Sequence, residues 1–200
     1  NTIGLRDLQN PIYLKEVINA VKNGQKEASI LRPIFLKFSP DMSDKKLLAS
    51  VELACQNNVN GLILTNTTTN RPKNLLSFNK FQNGGLSGLP LKQIATKKLS
   101  LVNNFLKLSG KKNITLIGVG GIEEAKDVYT KILVGADLTQ LYTAIVFKGP
   151  KIVNKIMIDL KNILDFEGIN SFDEIKGSYQ SHEKAEKHAN KIVNYIINNN

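Results

Sequence analysis

Lys37 stands inside an otherwise apolar run, Pro-Ile-Phe-Leu-Lys-Phe at residues 33–38. An ammonium in a buried strand is costly unless it meets an anion or a polar ligand. The run reads as a central strand, so Lys37 is a candidate for holding or stabilising negative charge; a water-facing edge position is the alternative. Asn66-Thr67-Thr68-Thr69 follows directly on the apolar run 61–65. An Asn amide both donates and accepts, which suits the edge of a planar polar ligand, although a polar turn at a strand end explains it equally. Gly120-Gly121 closes a third apolar run and precedes a helical pattern. Glycines there let backbone approach a phosphate at a helix N-terminus, or simply make a tight turn. Gln140-Leu141-Tyr142-Thr143 ends the last run, and a helix is expected after Gly149-Pro150. Gly84-Gly85-Leu86-Ser87-Gly88 adds a glycine-rich segment that serves as a hinge or lid, or only as the entry to a helix.

Other chemistries find no support. His182 and His188 lie seven apart in a charged terminal segment, without a cysteine or carboxylate cluster at metal-ligand spacing. No Ser/His/Asp set and no G-x-G-x-x-G fingerprint is present. The single cysteine, Cys55, excludes an internal disulfide and reads as a small buried hydrophobe. The formal net charge is +10, from 27 Lys and Arg against 17 Asp and Glu. These lysines scatter over polar helix faces and turns without interleaved aromatics, unlike the clustered footprint of a nucleic-acid binder. They read as a solvated surface, with attraction to an anionic membrane or substrate as a second use. No run of 18 apolar residues and no signal peptide is visible. The chain opens at Asn1 without an initiator Met, as expected of a fragment of a longer product.

These residues need a scaffold. Helical spacing runs through residues 11–24; a helix is expected from Ser43, an N-cap candidate; others cover about 91–108, 122–134 and 150–166. Between them lie short apolar runs at 33–38, 61–65, 114–119 and 136–142. Near-continuous apolar strands alternating with helices predict a parallel sheet, buried on both faces. Either a doubly wound sheet or a (β/α)8 barrel satisfies the pattern, and both bind ligands at the carboxyl ends of the strands, where Asn66-Thr67, Gly120-Gly121 and Tyr142-Thr143 fall. Four units cannot close an eight-stranded barrel alone. Ser171-Phe172-Asp173-Glu174 has capping-box form, and 181–197 reads as a lysine-rich amphipathic helix with Ala185, Ala189, Ile192, Val193 and Ile196 as its stripe, packed outside the barrel.

Taken in order, these motifs resemble one family, dihydroorotate dehydrogenase, over about residues 1–166. Asn1-Thr2-Ile3-Gly4-Leu5-Arg6 is similar to the end of its S-P-N-T-x-G-L-R segment. Phe35–Asp41 is similar to its V-K-x-x-P-D strand, and Thr65-Asn66-Thr67-Thr68 with Arg71-Pro72 to T-N-T-T…R-P. The 84–88, 117–122 and 140–150 segments complete the set. The T-N-T-T…R-P and Q-L-Y-T…K-G-P segments favour the class 2, quinone-dependent branch over soluble class 1 enzymes with another acceptor; a phosphate-binding barrel enzyme without flavin is a further alternative. The resemblance implies an α/β (β/α)8 TIM barrel, with residues 1–167 supplying the C-terminal half of an FMN-binding barrel and 168–200 a helical extension. It implies oxidation of dihydroorotate to orotate, FMN as cofactor and a quinone as acceptor. No catalytic base lies in this chain; it is expected two residues before Asn1. Asn1, Asn66 and Thr67 would bind substrate. Lys37, Thr65, Ser87, Gly88, Gly120, Gly121, Leu141, Tyr142 and Thr143 would bind the cofactor, Lys37 at the flavin edge where charge accumulates. Implied partners are the missing N-terminal half and, through it, a membrane: the cytoplasmic face of a bacterial inner membrane or the mitochondrial inner membrane. Glu123 and Glu124, beginning the helix beside the proposed phosphate, depart from expectation and must point away.

Overall fold

The computed structural model describes residues 4–111 and 113–199. Strands β1 (Phe35–Phe38), β2 (Gly61–Leu64), β3 (Thr115–Val119) and β4 (Leu138–Gln140) form one parallel sheet in the order β1-β2-β3-β4. That strictly sequential order separates the two architectures left open above. A doubly wound sheet reverses its strand order at a switch point, whereas consecutive barrel strands do not.

Each strand is followed by helix. The helices are α1 (Pro11–Glu27), α2 (Asp44–Gln56), α3 (Lys92–Leu108), α4 (Ala125–Leu133), α5 (Thr143–Lys148), α6 (Lys151–Glu167), α7 (Phe172–Ile175) and α8 (His182–Asn198). Their ends have local causes. Pro11 occupies the first turn of α1, where its missing N–H costs nothing. The Ser43 hydroxyl accepts from the Lys46 amide and starts α2, and Ser181 does the same for α8 from Lys184. Gly168 stops α6 in the left-handed conformation.

Phe38, Leu62, Leu64 and Leu116 pack with Val51, Leu99 and Val102 from α2 and α3 in one continuous core. Each such fully buried aliphatic contributes about 1.5–3 kcal/mol. The opposite sheet face carries Lys37, Ile63 and Ile117, matched side by side in register. This corrects the expectation of strands buried on both faces. Among the described residues helices cover one face, β1 is an edge strand, and Phe35 and Lys37 are exposed. Two element boundaries also move. The run 136–142 yields a strand of only three residues, followed by the short α5, to whose residues the apolar pattern assigned no element. Helix α4 starts at Ala125 rather than near 122, because Glu124 caps it.

Candidate active site

The carboxyl ends of the four strands open onto a cavity of about 250 Å³. Lys37 lines it from β1; Thr65, Asn66 and Thr67 from the end of β2; Val119, Gly120, Gly121 and Ile122 from β3; and Gln140, Leu141, Tyr142 and Thr143 from β4. Ser87 and Gly88 arrive from the long loop before α3. Every cofactor-binding position expected from the sequence therefore meets at this cavity, with Asn66 and Thr67 beside them. Asn1 lies outside the described residues. Among the described residues lining the cavity, Lys37 alone carries a charge.

The strand-end turns are fixed by backbone. The Thr65 amide donates to the Val119 carbonyl at 3.0 Å and the Asn66 amide to Phe38 at 2.8 Å, tying the β2 turn to both neighbouring strands. The Asn66 Oδ1 accepts from the Thr67 amide at 2.9 Å, so the side chain is oriented before any ligand arrives. Thr68 then pairs with Leu86 through two reciprocal backbone hydrogen bonds, drawing the glycine-rich loop over the cavity.

Asp41 and Arg71 hold this loop, and sequence reading assigned neither a role. The Asp41 carboxylate accepts from the Thr68 hydroxyl, the Thr69 amide (2.8 Å) and the Asn70 amide group (3.1 Å), and pairs with Arg6 at 2.6 Å. Burial pushes its pKa up, but the hydrogen bonds from Thr68, Thr69 and Arg6 outweigh it and hold the carboxyl below its ordinary value. The Arg71 guanidinium donates to the carbonyls of Lys80, Gln82 and Gly84 at 2.8–2.9 Å. Both residues sit in the motifs quoted above, and a charged residue beside a long polar loop was the available signal.

The far side of the cavity is a cradle without bulk. Gly88, Gly120 and Gly121 have φ of +76°, +115° and +70°, a region L side chains avoid. A Cβ on Gly121 would stand 2.3 Å from Lys92 Cβ. Thr143 Oγ1 donates to Ser87 Oγ at 2.9 Å, closing the cradle between the loop and α5. Glycine backbone and hydroxyls form the donor set expected of a phosphate site, here where the turns after the last two strands of the sheet meet, beside a short extra helix. The two acidic residues turn outward as required: Glu123 pairs with Lys148 at 3.3 Å and Glu124 with Lys126 at 2.8 Å.

Behind the cradle lies an ionic cluster that sequence reading missed. Lys131 of α4 is 1% exposed, its Nζ donating to Thr96 Oγ1 at 3.1 Å, and burial lowers its pKa to about 7. Lys92 pairs with Asp127 at 2.6 Å and Glu186 at 3.1 Å. Among the described residues no group of three or more His, Cys, Asp or Glu is placed to hold a metal, and no helix is long and apolar enough to cross a membrane.

A family model described as dihydroorotate dehydrogenase matches residues 1–164. The dihydroorotate dehydrogenase (quinone) of Halobacterium salinarum is 34% identical over 178 residues, 89% of this chain and 48% of its own length. That of Christiangramia forsetii is 39% identical over 156 residues, 78% of this chain and 44% of its own. The crystal structure of DHODH from Eimeria tenella in complex with ferulenol superposes with a TM-score of 0.82 at 32% identity, covering 89% of this chain and 51% of that one. The chain thus spans about half the length of the curated relatives it matches.

Proposed function

Because the chain belongs to the dihydroorotate dehydrogenase family, within its class 2 branch, we propose that it forms the carboxyl-terminal half of a (β/α)8 barrel that binds FMN and oxidises dihydroorotate to orotate, passing the electrons to a quinone. The observation that carries this reading is the meeting of Lys37, Asn66, the glycine cradle and the Ser87–Thr143 pair around one cavity. The family is generally flavin-dependent, and the residues fit that group: one cation on the strand face and a side-chain-free cradle opposite.

When bound, the flavin supplies hydride acceptance and two-electron redox chemistry. Gly88, Gly120, Gly121, Tyr142, Thr143, Leu141 and Ser87 would hold its phosphate end, and Thr65 would contact the ring. Lys37 places a positive charge where negative charge accumulates on reduction, an electrostatic contribution set up before the reaction begins. Asn66 and Thr67, with Asn1, orient the substrate's polar edges. The proton would leave to a general base. A lipophilic acceptor places the enzyme at a membrane surface, bacterial or mitochondrial, and the net charge of +10 suits an anionic one. Closure of the barrel covers the exposed edge of β1, whose partner strand belongs to the other half.

The test is an absorbance spectrum of the native, intact protein followed by anaerobic addition of dihydroorotate. A flavin band that bleaches supports cofactor and substrate together. A flavin that stays oxidised removes the substrate, and a colourless protein that cannot be reconstituted with FMN removes the flavin.

A further inference from the structure

Helix α8 begins beyond the 164 residues matched by the family model, yet it reaches the glycine cradle through a short chain of contacts. Glu186 of α8 pairs with Lys92 Nζ at 3.1 Å and accepts from Gln93 Nε2 at 2.6 Å. Lys92 Nζ lies 2.6 Å from Asp127 Oδ1. The second oxygen, Asp127 Oδ2, accepts from the amides of Glu123 and Glu124 at 2.9 and 3.0 Å. Those amides belong to the turn that continues from Gly120-Gly121, and Gly121 rests against the backbone of Lys92 itself. Asp127 is 3% exposed and Lys92 and Glu186 are largely covered, so solvent screens these charges only partly.

The placement of α8 is firm. Ala185, Ala189 and Ile192 are buried against the rest of the core. His188 stacks on Tyr179 with ring centroids 5.4 Å apart, and its Nε2 lies 3.1 Å from Glu167 Oε2. Glu186 is therefore held by a docked helix rather than presented on a loose end.

We propose that Glu186 is a positioning residue for the phosphate cradle: by anchoring the Lys92 ammonium over Asp127, it fixes the turn 120–124 and raises affinity for a phosphate-bearing ligand. This rests on the flavin reading above and deepens it. Electrostatics and position predict opposite signs for its loss. Removing a carboxylate near an anion favours binding of that anion, whereas releasing Lys92 and the turn weakens it, so a fall in affinity reports geometry.

In the intact, full-length protein stripped of flavin, dissociation constants for FMN and riboflavin are measured by flavin fluorescence. Glu186→Ala is expected to weaken FMN about fivefold, the loss of one partly covered ion pair, and to leave riboflavin, which has no phosphate, unchanged. Glu186→Gln keeps an acceptor for Lys92 and should stay within about twofold of wild type for FMN. If Glu186→Ala leaves the FMN preference intact, or lowers both ligands together, the positioning role is overturned and α8 merely supports the fold. Wild-type protein that shows no preference for FMN over riboflavin overturns the phosphate reading itself, and the role of Glu186 with it.

Discussion

Two lysines interrupt apolar segments of this chain, and the structure treats them oppositely. Lys37 lies on the open sheet face, exposed, and is the one charge lining the strand-end cavity among the described residues. Lys131 lies under the helices, fully buried, its stem packed where a side chain on Gly118 of β3 would stand, 3.0 Å from its Cδ. The first stands in a place a ligand can reach. The second is pushed by desolvation, against the attraction of Asp127, to a pKa of about 7. A lysine in an apolar pattern therefore marks either a site or an internal cation, and the period of the pattern alone does not distinguish them.

The sharpest way to break the comparison is to remove each charge. Lys37→Ala is expected to slow flavin reduction by dihydroorotate about 10²- to 10³-fold, the usual cost of removing one preorganised electrostatic group, while changing folding stability by less than about 0.5 kcal/mol. Stopped-flow reduction and urea titration check the two halves, and unchanged single-turnover reduction removes Lys37 from the chemistry.

Lys131→Met should do the reverse, leaving reduction untouched and changing stability with pH. Lys131 loses its proton in the folded protein near pH 7 but keeps it in the unfolded chain until about pH 10.4. Between those values the unfolded state binds more protons, so wild type gains stability as pH rises, by up to about 1.4 kcal/mol per unit. The Met variant lacks this slope. Its advantage is greatest at pH 7 and below, and shrinks towards pH 10. Denaturation curves at pH 7 and 9.5 should show the gap closing by at least about 2 kcal/mol; parallel curves would mean that Lys131 stays charged when folded.

The same contrast explains what could be read beforehand. Alternating apolar runs and helical spacing carried the parallel α/β sheet, a charge inside an apolar run marked Lys37, and the strand-end positions carried Asn66-Thr67, Gly120-Gly121 and Tyr142-Thr143. Ligands of such sheets bind at the carboxyl ends, so position along the chain translates directly into position in space. Asp41 and Arg71 were not assigned because their partners lie elsewhere along the chain: Arg6, the Thr68 hydroxyl and the Thr69 amide for one, the carbonyls of Lys80, Gln82 and Gly84 for the other. Asp127, Lys92 and Glu186 come from three helices, a juxtaposition that no local spacing encodes. Helix α5 was not assigned because its six residues, between the strand end and Gly149-Pro150, are too few to show a helical period.

The smallest expected effect tests the two sides of the glycine cradle against each other. Thr143→Val deletes the hydroxyl that donates to Ser87 across the cavity mouth at 2.9 Å while nearly preserving volume. A hydrogen bond between neutral partners is worth about 1 kcal/mol, so FMN affinity should fall about fivefold if the pair closes the cradle on the phosphate. The paired change Ser87→Ala with Thr143→Val separates the origins of that loss. If the hydroxyls act through one another, the double variant is no weaker than either single one; if each donates independently to the ligand, the losses add. Affinity for riboflavin should be indifferent to all three if the cradle holds the phosphate end alone.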